Sequence, residues 1–140
     1  MHAALYRRDV WAAAYLIAGG CSDDSFIDFR AGLIARGRDW YHRAAASPDS
    51  LAGHPAVADA SRLRGEPLFY EEVNYAAPRA FERVTGDYAG FNDAWRRYRD
   101  SRGHSDHTPD MDEDFDFEDA QQMRRRLPRL AAHCLQNDSA

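Results

Sequence analysis

The chain has 140 residues, and its 18 basic and 23 acidic side chains give a formal net charge of −5. A content of 44% hydrophobic and 12% aromatic residues excludes a wholly disordered chain and allows a hydrophobic core. Two cysteines are too few for a disulfide-rich secreted scaffold, and no apolar run reaches the roughly 18–20 residues of a membrane span. We therefore expect one domain over residues 1–140, cytoplasmic and without a membrane partner.

The first predicted helix covers residues 5–18, and its apolar side chains lie on nearly every side. Tyr6 and Val10 lie on one flank and Trp11 on another. A helix that is apolar all round belongs in a core or at an interface. We therefore expect the helix either to be covered by the C-terminal segment 123–135 or to form a homodimer interface with a second copy.

Residues 19–26, with the sequence GGCSDDSF, separate this helix from the next one. The two glycines can adopt positive φ and suit a helix end. Ser22 is a favourable N-cap, and Asp23 and Asp24 then lie in the first turn, where the helix dipole favours carboxylates. The spacing of the following aromatic and aliphatic residues predicts that this second helix continues to about Ala46.

Three further helical segments are predicted in the middle of the chain. A short helix begins at Pro48, a residue favoured at the first helical position. Residues 56–64 form a weaker helical pattern. Residues 68–84 return to helical spacing, but Pro78 lies inside them and is expected to kink or split the helix.

The next pattern is an aromatic stripe at helical spacing, with arginines on the other faces. The stripe consists of Tyr88, Phe91, Trp95 and Tyr98. A last amphipathic segment covers residues 123–134 and is broken near Pro128. No stretch shows the sustained alternation of a strand. The sequence therefore predicts an all-α fold, a compact bundle of about five to six helices with an acidic, partly mobile loop near the C-terminus.

The acidic segment, residues 104–119, contains eight acidic side chains and no basic one. The remaining chain carries 18 basic and 15 acidic residues and is mildly basic. Because such a segment repels phosphates, we expect no nucleic-acid partner. We interpret residues 101–117 as a flexible strap that folds back on the arginines at 96–99 or 124–126.

The same segment imitates the start of a calcium loop, because Asp110, Asp112 and Asp114 alternate. Phe115, however, stands where a calcium loop requires glycine, and Gln121 stands where it requires a bidentate glutamate. We therefore expect no metal site. We also expect no cofactor, because the chain has no phosphate-binding loop, dinucleotide fingerprint, nucleophile elbow or zinc finger.

A set of motifs spread along the chain resembles a known family. The motifs are the run 11–17 followed by GGCSDD, Phe26, Phe29-Arg30, Leu33-Ile34, Gly37-Arg38, Tyr41, the turn 48–52, a looser part over 75–86, and the run 126–130. Together they resemble the bacterial family DUF4240, which has no assigned function. Fuller members have additional residues before the segment that matches residues 5–11, and this supports the expected homodimer through residues 5–18.

Seven residues are candidates for a binding site because they combine charge or reactivity with a defined position. They are Cys21, Asp23, Asp24, Arg30, Glu71, Glu72 and Tyr75. Arg30 lies on an apolar stripe, so it is either ion-paired with Asp9, Asp23 or Asp49, or it binds a carboxylate or phosphate. Only one of the two adjacent glutamates can face inwards. The two aspartates are equally consistent with simple caps.

Two functions fit these residues. The first is a small cytoplasmic module that binds an unknown protein or small molecule and has no catalysis of its own. The alternative is a small enzyme, a hydrolase or a biosynthetic tailoring enzyme, with a polar pocket around Asp23, Asp24 and Arg30. A concave site into which these side chains converge favours the enzyme. Side chains that pair separately favour the binding module.

Overall fold

The computed structural model describes residues 2–59, 67–103 and 110–135, and these ranges contain helices and no strand. The α-helices are α1 Arg8–Ala18, α2 Asp23–Ala35, α3 Arg38–Ala46, α4 Pro55–Ala58, α5 Ala76–Thr85, α6 Phe91–Ser101, α7 Ala120–Arg126 and α8 Pro128–Cys134. Short 3-10 helices cover His2–Leu5, Pro48–Gly53 and Glu71–Tyr75. The predicted all-α class is confirmed, but there are more helices than the five to six expected.

One reason for the larger number is a break in the predicted helix from Ser22 to about Ala46. The hydroxyl of Ser22 accepts a hydrogen bond from the amide of Ser25 at 3.2 Å, which confirms the predicted cap. The helix then ends at Ala35, and Gly37 has φ +92°, outside the helical range. A helix cannot continue through this angle, so α2 and α3 are separate elements.

Helix α1 lies in the hydrophobic core. Val10, Ala12–Ala14 and Ile17 are almost fully buried, and α1 packs against α8 and the 3-10 helix Pro48–Gly53. Trp11 stacks on Phe26 with ring centroids 5.0 Å apart. The C-terminal segment therefore contributes to the cover of α1. This agrees with the first of the two alternatives predicted for this helix. The chain buries Val10, one of the three residues expected near the centre of a homodimer through residues 5–18, and leaves Tyr6 and Trp11 half-buried, so that homodimer stays a prediction.

The described part of the acidic segment, residues 110–119, lies against α1 and α7. Phe115 is buried, and Phe117 lies against Trp11 with ring centroids 6.1 Å apart. Ion pairs join Arg7 to Asp112, Arg8 to Asp114 and Arg126 to Glu113. The contact with Arg126 agrees with the prediction that the segment folds back on the arginines at 124–126. Residues 104–109 lie outside the described residues.

Helices α5 and α6 form a hairpin, residues 76–101, that is attached to the body through the 3-10 helix Glu71–Tyr75. That 3-10 helix packs on α2, and the side-chain amide of Asn74 donates to the carboxylate of Asp28 at 2.9 Å. The predicted split near Pro78 is confirmed, because α5 begins two residues before it. Pro78 therefore lies in the first turn, where its missing N–H costs nothing.

Candidate functional site

An acidic groove lies between α2 and the 3-10 helix Glu71–Tyr75. Its volume is about 470 Å³, and its lining residues are Asp24, Ile27, Asp28, Glu71, Asn74 and Tyr75. Asp24, Ile27 and Asp28 share one side of α2 because side chains three and four residues apart are neighbours on a helix. The packing of the 3-10 helix on α2 supplies the opposite wall.

Hydrogen bonds fix the polar groups of the acidic groove. The hydroxyl of Tyr75 donates to the carboxylate of Glu71 at 2.7 Å, and this bond raises the pKa of Tyr75. The carboxylate of Asp28 accepts from the amide of Asn74. Among residues 2–59, 67–103 and 110–135, no group of three His, Cys, Asp or Glu side chains is placed to hold a metal ion. The carboxylates of Asp24, Asp28 and Glu71 line the acidic groove and make it suited to a cationic group.

The structure brings together three of the seven predicted site residues, namely Asp24, Glu71 and Tyr75. Glu72 instead forms an ion pair with Arg79 at 2.9 Å. Asp28 was not among the predicted residues, although its spacing four residues after Asp24 was visible in the sequence.

Arg30 lies away from the acidic groove. Its guanidinium lies 5.0 Å from the ring centroid of Tyr6 and 4.9 Å from that of Phe26, which are cation–π contacts. Burial lowers the pKa of Arg30. Residues 24 and 30 differ by six positions, or about 240° around a helix, so their side chains point to different sides.

The other predicted members also lie outside the acidic groove. Asp23 is exposed in the first turn of α2. The carbonyl of Cys21 accepts from the indole of Trp11 at 2.9 Å, which ties the turn to α1. Of the predicted partners of Arg30, Asp9 bonds with Arg7 and Asp49 accepts from the backbone of α8. Asp24 and Arg30 thus do not share one side of α2, as the predicted pocket around Asp23, Asp24 and Arg30 requires.

The α5–α6 hairpin also exposes four large apolar residues, Val84, Tyr88, Trp95 and Tyr98, which we name the aromatic face; the rings of Trp95 and Tyr98 stack with centroids 5.6 Å apart. Val84 is 86% exposed, and the three aromatic residues are between 43% and 51% exposed. Neither α5 nor α6 has a buried residue. Phe81 and Phe91 hold the two helices together, with ring centroids 5.8 Å apart. The aromatic face is thus apolar and open to solvent.

An apolar groove runs between the two helices of the hairpin and meets the acidic groove. It has a volume of about 330 Å³, and its lining residues are Val73, Asn74, Ala77, Pro78, Phe91 and Trp95. Asn74 lines both grooves, so they are neighbours. Sequence reasoning found the aromatic stripe but did not assign it to a site, because a stripe at helical spacing predicts a core face equally well.

A third cavity of about 450 Å³ lies between α1 and the C-terminal end of α8. Tyr15, Phe117 and Cys134 are among its lining residues. Burial raises the pKa of the Cys134 thiol, so this cysteine is mainly protonated and weakly nucleophilic at neutral pH.

No helix in the part of the chain that the structure describes is long and apolar enough to cross a membrane. The family model of DUF4240, described as a protein of unknown function, matches residues 1–83. No curated protein and no solved structure matches the chain. The matched range covers α1 to most of α5 and is more than half of the 140 residues, so the chain belongs to the DUF4240 family.

Proposed function

We propose that this chain is a cytoplasmic protein-interaction module without catalysis of its own, and that it binds through the aromatic face of the α5–α6 hairpin. The observation that carries the proposal is that two strongly amphipathic helices bury none of their residues. Monomeric proteins rarely leave large apolar side chains clustered in solvent, and such patches mark binding sites. Tyrosine and tryptophan are also enriched among the residues that dominate binding energy.

The arrangement of the predicted polar residues favours this function over the enzyme alternative. Arg30 contacts the rings of Tyr6 and Phe26, while Asp24 lines the acidic groove on another side of α2. An enzyme that uses both groups needs them to converge on one substrate. The carboxylate of Glu71 is engaged by Tyr75, which fits a fixed recognition surface.

Photo-crosslinking tests the proposal. The full chain, with a benzophenone amino acid in place of Tyr98, is expressed in cells of its source organism and irradiated. We expect a discrete crosslinked protein product that Trp95→Glu removes, because this substitution places a charge on the aromatic face. His42, exposed on α3, is the control position for the same crosslinker. Equal products from both positions, or no product from position 98, would contradict the proposed function.

A further inference from the structure

We infer that the partner of the aromatic face is a second copy of this chain, and that two α5–α6 hairpins associate about a two-fold axis as a four-helix bundle. This inference rests on the proposed function, because it names the occupant of the same surface. It places the dimer contact on the hairpin, away from α1.

The apolar residues of the hairpin form one stripe on each helix. On α5 they are Ala77, Ala80, Phe81 and Val84, and on α6 they are Phe91, Ala94, Trp95 and Tyr98. Two packed helices cover only the inner edges of such stripes, which is why Val84 and Tyr98 remain exposed. A four-helix bundle covers the rest, since each helix then has two neighbours.

The lengths of the two helices also suit a bundle of two hairpins. Helix α5 has 10 residues and α6 has 11 residues, so each is about 15–17 Å long. The contact of Phe81 with Phe91, together with the short connection between the helices, makes them antiparallel neighbours. A second hairpin related by a two-fold axis presents the same stripes, and two-fold contacts are the commonest form of association between identical chains.

The exposed apolar area is close to what a stable dimer needs. An aromatic side chain has about 150–250 Å² of surface, so the half-exposed Tyr88, Trp95 and Tyr98 leave about 300 Å² uncovered. Val84 and the exposed alanines raise this to roughly 400–500 Å² per copy. Complete cover of this surface in both copies would bury about 900 Å² of apolar area, which is near the lower limit of roughly 1,000 Å² for a specific interface.

Sedimentation equilibrium of the full chain tests this inference. At high micromolar concentration we expect a mass of about twice the 15.9 kDa of one chain. Trp95→Glu should weaken the dimer at least tenfold, because it buries a carboxylate in the apolar contact. Arg96→Gln is the matched control, since it makes the same change in charge on the outer side of α6, and it should change the dissociation constant by less than threefold.

Val84→Asp provides a second variant, because Val84 is 86% exposed and its substitution removes no core packing. It should also weaken the dimer at least tenfold. A monomeric wild-type chain, or a dimer unaffected by both substitutions, would overturn the inference. If the chain is monomeric but still forms the specific crosslink from position 98 to another protein, the proposed function stands. Only the inference that the partner is a second copy is then wrong. If both the dimer and the crosslink are absent, both proposals fail.

Discussion

At the scale of single residues, Asp49 connects two parts of the chain that are 80 residues apart. Its buried carboxylate accepts hydrogen bonds from the backbone amides of Arg129 and Leu130 at 3.0 Å and 2.9 Å. These amides belong to the first turn of α8 and have no partner within that helix. Asp49 therefore caps α8 from a distant segment and fixes α8 over α1.

We expect Asp49→Ala to lower the free energy of unfolding by about 3 kcal/mol, because it strands one buried and one partly buried amide that both bond to a charged group. Asp49→Asn should cost about 1 kcal/mol, since the amide oxygen still accepts. Urea denaturation measures both values. Asp39→Ala, at an exposed position in the first turn of α3, is the control; it removes only a favourable interaction with the helix dipole and should cost less than about 1 kcal/mol. Equal losses at positions 49 and 39 would show that the cap is unimportant.

His54 is buried in its neutral form at the start of α4. Its Nδ1 accepts from the amide of Ala56 at 3.1 Å, which a protonated ring cannot do, and its ring packs against Trp40. Burial lowers the pKa of His54, and the charge of Arg36 lowers it further. As the pH falls below about 6.5, the unfolded chain gains a proton here that the folded chain does not.

The free energy of unfolding should therefore fall between pH 7.5 and 5.5, and part of that fall should come from His54. His54→Asn keeps a good N-cap and removes the titration, so its stability should depend less on pH over this interval. Urea denaturation at several pH values gives the comparison. Identical slopes for the variant and wild type would mean that His54 contributes no pH dependence.

Local roles of residues could be predicted, whereas their distant contacts could not. The cap formed by Ser22 depends only on the next three residues, so sequence reasoning found it. The observed partners of Asp49, the backbone amides of Arg129 and Leu130, are distant in sequence. The negative charge of Asp49 by itself indicates only a possible ion pair with an arginine such as Arg30. The stacking of Arg30 on Tyr6 depends on how the first residues fold over α2, which no spacing rule specifies.

At the scale of elements, α2 is held against the segment before the hairpin by a close backbone contact at Gly32. A Cβ atom added there would lie 1.6 Å from the carbonyl oxygen of Leu68. Leu68 is fully buried, so its backbone cannot easily move away. This contact sets the position of the segment that leads to the acidic groove.

Gly32→Ala should lower the free energy of unfolding by at least about 2 kcal/mol. Alanine favours a helix over glycine by about 1 kcal/mol, but the clash with a fixed backbone outweighs that gain. Gly53→Ala is the control, because the nearest atom to its added Cβ is a side-chain nitrogen of Arg129 at 3.5 Å. The control should change stability by less than about 1 kcal/mol. Thermal unfolding of both variants measures these changes. A Gly32→Ala variant with the melting temperature of wild type would refute the close contact.

Element boundaries could be predicted where a residue restricts the backbone. Pro78 cannot lie deep inside a helix, and the observed start of α5 follows from that restriction. Gly37 permits a positive φ but does not require one, so the continuous spacing from Phe26 to Tyr41 suggested one helix. The observed angle depends on packing after the chain has turned.

At the scale of the whole molecule, helix α1 is mostly buried, whereas the α5–α6 hairpin has no buried residue. α1 and the α6 region both carried apolar side chains with no obvious cover in the sequence. The C-terminal segment covers α1, while the aromatic face stays in solvent. Which of two apolar stripes a distant segment covers depends on the path of the chain, and residue spacing does not specify that path.

Hydrogen exchange at two protein concentrations tests most directly whether the α5–α6 hairpin is the contact surface. At about 200 µM, where dimers predominate, the amides of residues 76–101 should exchange more slowly than at about 1 µM, because a second hairpin covers them. The amides of α3 should exchange at the same rate at both concentrations. Equal exchange of residues 76–101 at both concentrations would contradict the account.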